Sequence, residues 1–167
     1  DDLIGIDSLG FRGEALASVA SVARVKIASA TSADDGGWFV ESRGGQIQNS
    51  GPTAHPEGTT VEVRDLFYNT PARRKFLKAE RTEASQIDQI LRRLSLAHMH
   101  VGFSLSQARA TGSSGRVNRP LMLASGDPLD RLSRVLSPDF VENSIYIDES
   151  NLNLRLYGWV GLPHHLS

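Results

Sequence analysis

Cysteine is absent from this chain, which excludes a disulfide framework and thiolate metal sites. That suits a cytoplasmic protein, or a nuclear one in a eukaryotic source. No apolar run approaches the roughly 20 residues that span a bilayer, and no succession of charged, apolar and small segments marks a signal peptide. A soluble protein with no membrane partner is therefore expected. P-loops and Gly-x-Ser-x-Gly elbows are missing too. Of the five histidines, His98 and His100 stand two apart at a helix-to-strand junction. Without cysteine or a His-x-x-x-His spacing they make a poor metal site, and no metal ligands are assigned. No internal repeat is visible.

What is present suffices for a core: 167 residues, 40% of them hydrophobic, fit one domain or one domain with part of another. The chain starts at Asp1-Asp2 instead of Met and stops just after a strand-like run, so both ends are expected to be cuts. Net charge is only −1, yet it is segregated. Residues 1–63 hold four basic and nine acidic groups, 64–138 hold thirteen and six, and 139–167 hold one and four. The basic middle third leaves room for a nucleic-acid face that the overall charge would have argued against.

Hydrophobic periodicity orders the elements. Ala15, Leu16, Val19, Ala20, Val22 and Ala23 keep one helical face apolar, which predicts a helix from about Gly13 to Val22. Arg24 to Ala30 alternates as a half-buried strand, and the runs Trp38–Ser42 and Gln46–Asn49 around Arg43-Gly44-Gly45 predict a hairpin. Residues 50–58 read as loop, Thr59–Val63 as a strand with Val61 and Val63 on one face. Thr70 is placed to cap a short helix with Pro71 at its first position. Ile87, Ile90, Leu91, Leu94 and Ala97 mark an amphipathic helix from about Thr82 to Ala97, followed by a strand through Phe103. Residues 107–119 are glycine- and serine-rich and read as a linker. Beyond it Asp127-Pro128 opens a helix, and Ser144–Asp148 with Asn153–Val160 forms a strand pair.

Two features carry candidate chemistry. Gly10 and Gly13 stand three apart just before the first helix. Spacing alone leaves a tight turn and a phosphate cradle both open, the second because the free N–H groups of a helix's first turn attract anions. Arg73, Arg74, Lys75, Lys78 and Arg81 face the single acid Glu80 within nine residues. Such a cluster suits salt-sensitive contacts to nucleic-acid phosphates, against the alternative of a solvated face or ion pairs to Glu83 and Asp88. Arg92, Arg93, Arg116 and Arg119 are weaker candidates.

The full string Ser8-Leu-Gly-Phe-Arg-Gly-Glu-Ala-Leu16 is more specific than its glycines. Together with Gly58-Thr59 and Leu66-Phe-Tyr-Asn-Thr-Pro-Ala-Arg-Arg-Lys-Phe76, it resembles the MutL family of DNA mismatch-repair proteins, part of the ATPase superfamily that includes DNA gyrase B, heat-shock chaperones and sensor histidine kinases. The resemblance is specific over residues 8–77 and weaker from 120 onward.

It implies an α+β chain: the C-terminal part of a Bergerat (GHKL) ATPase α/β sandwich, followed by the start of a ribosomal-protein-S5-like α/β domain. The domains expected are 1–107, a linker 108–119, and 120–167. The resemblance also implies that Gly10, Phe11, Arg12, Gly13, Glu14 and Ala15 supply main-chain N–H groups to ATP, their amides mattering more than the Arg12 or Glu14 side chains. Thr59 belongs to the base end of that pocket, and Arg73, Arg74, Lys75, Lys78 and Arg81 to DNA binding. ATP and Mg are the cofactors implied for a complete protein. Its partners would be DNA, mismatch-recognition and strand-processing repair proteins, and a second subunit in a homodimer or heterodimer.

Hydrolysis needs a base and a metal. Relatives take these from a helix bearing Glu-x-x-x-Asn and from an Asp-x-Gly-x-Gly turn, and neither is expected in this chain; Asp34-Asp35-Gly36-Gly37 has the wrong spacing and reads as a surface turn. No catalytic residue is assigned, and the chain alone is expected to be inactive. The alternatives are a DNA-binding module without a nucleotide role, or another ATPase of the superfamily, such as a type II topoisomerase subunit.

Overall fold

The computed structural model describes residues 14–32, 36–107 and 120–163. They fall into two compact units, Asp1–Leu77 and Lys78–Ser167.

The first unit runs α1 (Ala15–Val22), β1 (Arg24–Ala30), β2 (Gly37–Arg43), β3 (Gln46–Thr53), β4 (Gly58–Arg64) and α2 (Pro71–Arg74). The strands form one sheet in the order β3-β2-β1-β4, with every neighbouring pair antiparallel. β1 is central and carries the core in small side chains: Val25, Ala28 and Ala30 are buried, with Ala23 just before them. The hairpin between β2 and β3 turns on Gly44 (φ 59°) and Gly45 (φ 84°). Both central residues of this two-residue turn need positive φ, which glycine adopts at no steric cost.

β3 continues to Thr53, through Ser50 to Pro52 where a loop was expected. Proline is tolerated because β3 is an edge strand, and Gly51 is buried where the Phe39 ring lies 3.5 Å from the position a Cβ would take. The expected cap of α2 also differs. Thr70 stands at the N-cap before Pro71, but its hydroxyl bonds no helix amide and is buried without a partner among the described residues.

The second unit holds α3 (Glu80–Ala97), β5 (Phe103–Leu105), β6 (Leu121–Leu123), α4 (Pro128–Val135), α5 (Pro138–Glu142), β7 (Ser144–Asn151) and β8 (Leu154–Gly161). Asp127 caps α4 through Leu129 N–H, as a proline-led helix start requires. β6 and α5 were not foreseen.

The stretch 108–119, expected to link two domains, lies between β5 and β6 in the sequence. β5 and β6, on either side of that stretch, are paired antiparallel from Phe103↔Leu123 to Leu105↔Leu121. Residues 108–119 themselves lie outside the described residues.

One side chain ties α4 to the end of α3 and to β6. Arg131 is 2% exposed and has no carboxylate partner among the described residues. Its guanidinium donates to the carbonyls of Ser95 (2.9 Å) and His98 (2.9 Å) at the end of α3, Val101 (2.7 Å), and Leu123 (3.4 Å) and Ala124 after β6. The unpaired carbonyls of a helix C-terminus carry partial negative charge, so they accept a buried cation. This is why α3 groups with β6 and α4.

Candidate nucleotide and DNA contact surfaces

Gly10, Phe11, Arg12 and Gly13 lie outside the described residues. Glu14 and Ala15 open α1, where Glu14 is the N-cap in helical geometry and makes no side-chain cap bond. The first intrahelical bond is Ser18 N–H to Glu14 C=O, 2.9 Å. The amides of Ala15, Leu16 and Ala17 therefore precede the helical ladder, and no acidic residue occupies the first turn. Residues 14–18 are all exposed. An uncapped, exposed helix start with the positive end of the dipole has the electrostatics that favour an anion.

The other end of α1 is held firmly, by two distant strings of sequence. The Ala20 carbonyl accepts from Gly45 N–H (2.7 Å), Ser21 from Asn69 Nδ2 (2.9 Å), Val22 from Phe67 N–H (2.7 Å) and Ala23 from Gly44 N–H (3.2 Å). Carbonyls that a helix leaves orphaned at its C-terminus are thus filled by the hairpin turn and by the Leu66–Asn69 string. Phe67 takes φ 62° and Asp65 φ 53°, conformations rare outside glycine. The bonds made by the Phe67 amide and the Asn69 side chain over-determine that strained turn. Arg24 joins in through Asp65 (3.3 Å). Part of the motif that carries the resemblance therefore acts by positioning α1, a role that the sequence signals only by Asn69 following a strand by a few residues.

Thr59 lies on β4 opposite Ser29, and the two hydroxyls share a hydrogen bond of 2.9 Å. By strand alternation it shares a sheet face with Val61 and Val63, both about half exposed. The neighbouring Thr60, on the opposite face, donates its hydroxyl to His55 Nε2 at 2.8 Å while His55 Nδ1 donates to the Pro56 carbonyl.

The five cations of the basic cluster are split between the units. Arg73 and Arg74 lie on the single-turn α2 with Lys75 behind them, and Lys78 and Arg81 belong to the second unit. All five are exposed, and none makes an ion pair among the described residues. The carboxylates expected to neutralise them are engaged elsewhere: Glu83 accepts the Lys78 backbone N–H (2.9 Å), and Asp88 pairs with Arg92 (2.7 Å). Arg92 is thereby structural, Arg93 is exposed, and Arg116 and Arg119 lie outside the described residues. The spacing Glu-x-x-x-Asn does occur once, at Glu149 and Asn153. Those residues sit on β7 and its turn, however, so they do not share a helix face.

No protein-family model matches the chain. Among curated proteins it is 43% identical over 164 residues to the DNA mismatch repair protein MutL of Cellvibrio japonicus, covering 98% of this chain and 26% of that protein. It is 46% identical over 170 residues to MutL of Pseudomonas putida, covering 98% and 25%. The chain thus spans about a quarter of the length of these relatives. Among solved structures, the Aquifex aeolicus MutL ATPase domain complexed with ADP superposes with a TM-score of 0.66 at 32% identity, over 81% of this chain and 52% of that one. The N-terminal domain of a DNA repair protein, 22% identical, shares the fold at a TM-score of 0.69 over 92% of this chain and 49% of that one. The α+β fold is that of the MutL ATPase region, and the chain belongs to the MutL family.

Proposed function

We propose that this chain forms the phosphate-binding side of an ATP pocket and part of the DNA-contact surface in a mismatch-repair protein. That protein works as an ATP-dependent conformational switch: nucleotide binding brings two N-terminal regions together around DNA and repair partners, and hydrolysis resets them. The partners in this reading are mismatch-recognition and strand-processing proteins and a second subunit, in the cytoplasm or a eukaryotic nucleus. Residues 120–167 begin the S5-like second domain.

The observation that carries the reading is α1, anchored at its C-terminus by four carbonyl bonds and open at its N-terminus directly after Gly10–Gly13. These amides fit the phosphates of ATP, whose hydrolysis supplies the free energy of the switch. Thr59, on the face it shares with Val61 and Val63, fits the base end. For Mg the fit fails: among the described residues no group of three His, Asp or Glu side chains gathers. A metal therefore needs ligands from elsewhere in the protein, and this segment alone neither binds ATP with appreciable affinity nor hydrolyses it. Steady-state ATPase assays of the purified segment test that statement, and turnover above the contaminant background refutes it. The switch itself is tested by sedimentation of the full-length protein with and without a non-hydrolysable ATP analogue. Dimerisation that depends on nucleotide is expected, and a passive DNA binder shows none.

A further inference from the structure

Cross-strand register gathers arginines that the sequence scatters. Arg24 on β1 stands directly opposite Arg43 on β2 and directly opposite Arg64 on β4. Three guanidinium side chains therefore share one row across three adjacent strands, on the sheet face opposite Thr59, Val61 and Val63. The next row on the same face reads Glu41, Lys26, Glu62. Between Glu14 and Arg64 the chain has only four basic residues, Arg24, Lys26, Arg43 and Arg64. All four line one cleft of about 410 Å³, with Glu41, Glu62 and Gln48. The first 63 residues are acidic overall, so this concentration of cations is local and opposed to the charge around it.

Like charges directly opposite one another destabilise a sheet, and the neutralising partners are incomplete. Lys26 takes Glu41 (2.8 Å), Arg64 takes Glu62, and Arg24 reaches Asp65 at 3.3 Å. Arg43 has no carboxylate partner among the described residues. Arg24 and Arg43 instead lie 5.7 and 5.4 Å from the Tyr68 ring centroid. An aromatic face orients a guanidinium without neutralising its charge. The row spans two strand spacings, roughly 10 Å, and guanidinium forks match phosphate oxygens bidentately.

We infer that the Arg43–Arg24–Arg64 row is an additional contact for the phosphodiester backbone of nucleic acid, separate from Arg73, Arg74 and Lys78. The inference rests on the reading of DNA as a partner. It assigns the polar face of the sheet to backbone contacts that are blind to base sequence.

The test is duplex binding by the full-length protein, followed by fluorescence anisotropy between about 50 and 200 mM salt. In the R43Q/R64Q variant the slope of log affinity against log salt should flatten by about 1 to 2, with roughly tenfold weaker binding at the low-salt end. The R43K/R64K variant keeps the charges and should retain most of the slope. Nucleotide binding stays unchanged in both. An unchanged slope in R43Q/R64Q overturns the inference. So does an equal loss in R43K/R64K, which marks a structural effect. Pyrophosphate titrated into the same proteins separates the ligand sources: if the glutamine variant loses pyrophosphate binding while its DNA slope is intact, the row is a small-anion site and the assignment falls. A variant of Arg73, Arg74 and Lys78 is measured alongside. If that variant flattens the slope and R43Q/R64Q does not, only this inference fails. If full-length protein binds no duplex, the DNA reading fails with it.

Discussion

Replacing Arg131 with methionine, a side chain of similar reach, removes the five guanidinium bonds to carbonyls at the end of α3, at Val101 and at the end of β6, and leaves the Arg92 bond to the Arg134 carbonyl (3.2 Å) between α3 and α4. Two of the freed carbonyls, Ser95 and Leu123, are buried; those of His98, Val101 and Ala124 are part-buried and recover water. Each stranded buried carbonyl costs about 1–3 kcal/mol. Against that, methionine escapes the cost of desolvating a guanidinium, several kcal/mol for a charge without a counter-ion. The bonds win here because the charge was already compensated by five carbonyls, and the two buried ones left without this donor set a cost of about 2–6 kcal/mol together. For a unit of this size 1 kcal/mol moves the melting midpoint by about 4–8 °C, so a fall of about 8 °C or more is expected.

The two tryptophans allow the units to be read separately, because Trp38 lies on β2 and Trp159 on β8. In a Trp38→Phe background, thermal melting followed by Trp159 fluorescence should show the whole drop. In a Trp159→Phe background the Trp38 transition should stay near its original midpoint. Arg131→Lys should fall between, since three ammonium donors cannot reach carbonyls spread over the plane of a guanidinium. A Trp159 midpoint within about 2 °C of the parent protein in Arg131→Met would refute the reasoning, as about 2 kcal/mol cannot hide in so small a shift.

Replacing Arg73, Arg74 and Lys78 with glutamine in the full-length protein should weaken duplex binding and flatten its salt dependence by about 2 to 3 while ATP binding survives; a salt slope equal to the parent's counts against the cluster. The β7–β8 hairpin should respond to acid through Asp148. The hydrogen bond from Arg155, with the charge of that guanidinium, holds the Asp148 carboxyl below its ordinary value, although desolvation opposes them. A depressed folded pKa contributes stability that is present above the unfolded carboxylate value of about 3.9 and is lost as pH falls through the lower folded value. Asp148→Asn should therefore weaken amide-exchange protection in the hairpin at neutral pH and make no difference at strongly acid pH, and a gap that persists in acid would show that packing, not ionisation, is responsible.

Much of the fold was legible one element at a time. Apolar residues three and four apart set out α3, and alternation set out β1. The Gly44-Gly45 pair announced its turn, because two adjacent positive φ values leave few other residues. β6 escaped because three residues carry too little periodicity to distinguish strand from loop. A related ambiguity attends residues 108–119: a glycine- and serine-rich composition separates paired strands as readily as it separates domains, and the pairing of β5 with β6 is visible only in the structure.

The candidate site was legible as strings, not as an arrangement. Sequence by itself determined the Gly10–Leu16 signature, the charge of the basic cluster and the family to which both pointed, since those are carried by residue identity and order. Tertiary structure alone decided what each residue faces. It showed that the Leu66–Asn69 string closes the C-terminal carbonyls of α1. It placed the carboxylates of Glu83 and Asp88 on other partners, leaving the cluster's cations free of ion pairs among the described residues. It also brought Arg24, Arg43 and Arg64 from three strands into one row. The physical reason is that local pattern encodes which side of an element is buried. Register, and hence the neighbour across a ladder or at a helix end, is fixed by contacts between residues far apart in the chain.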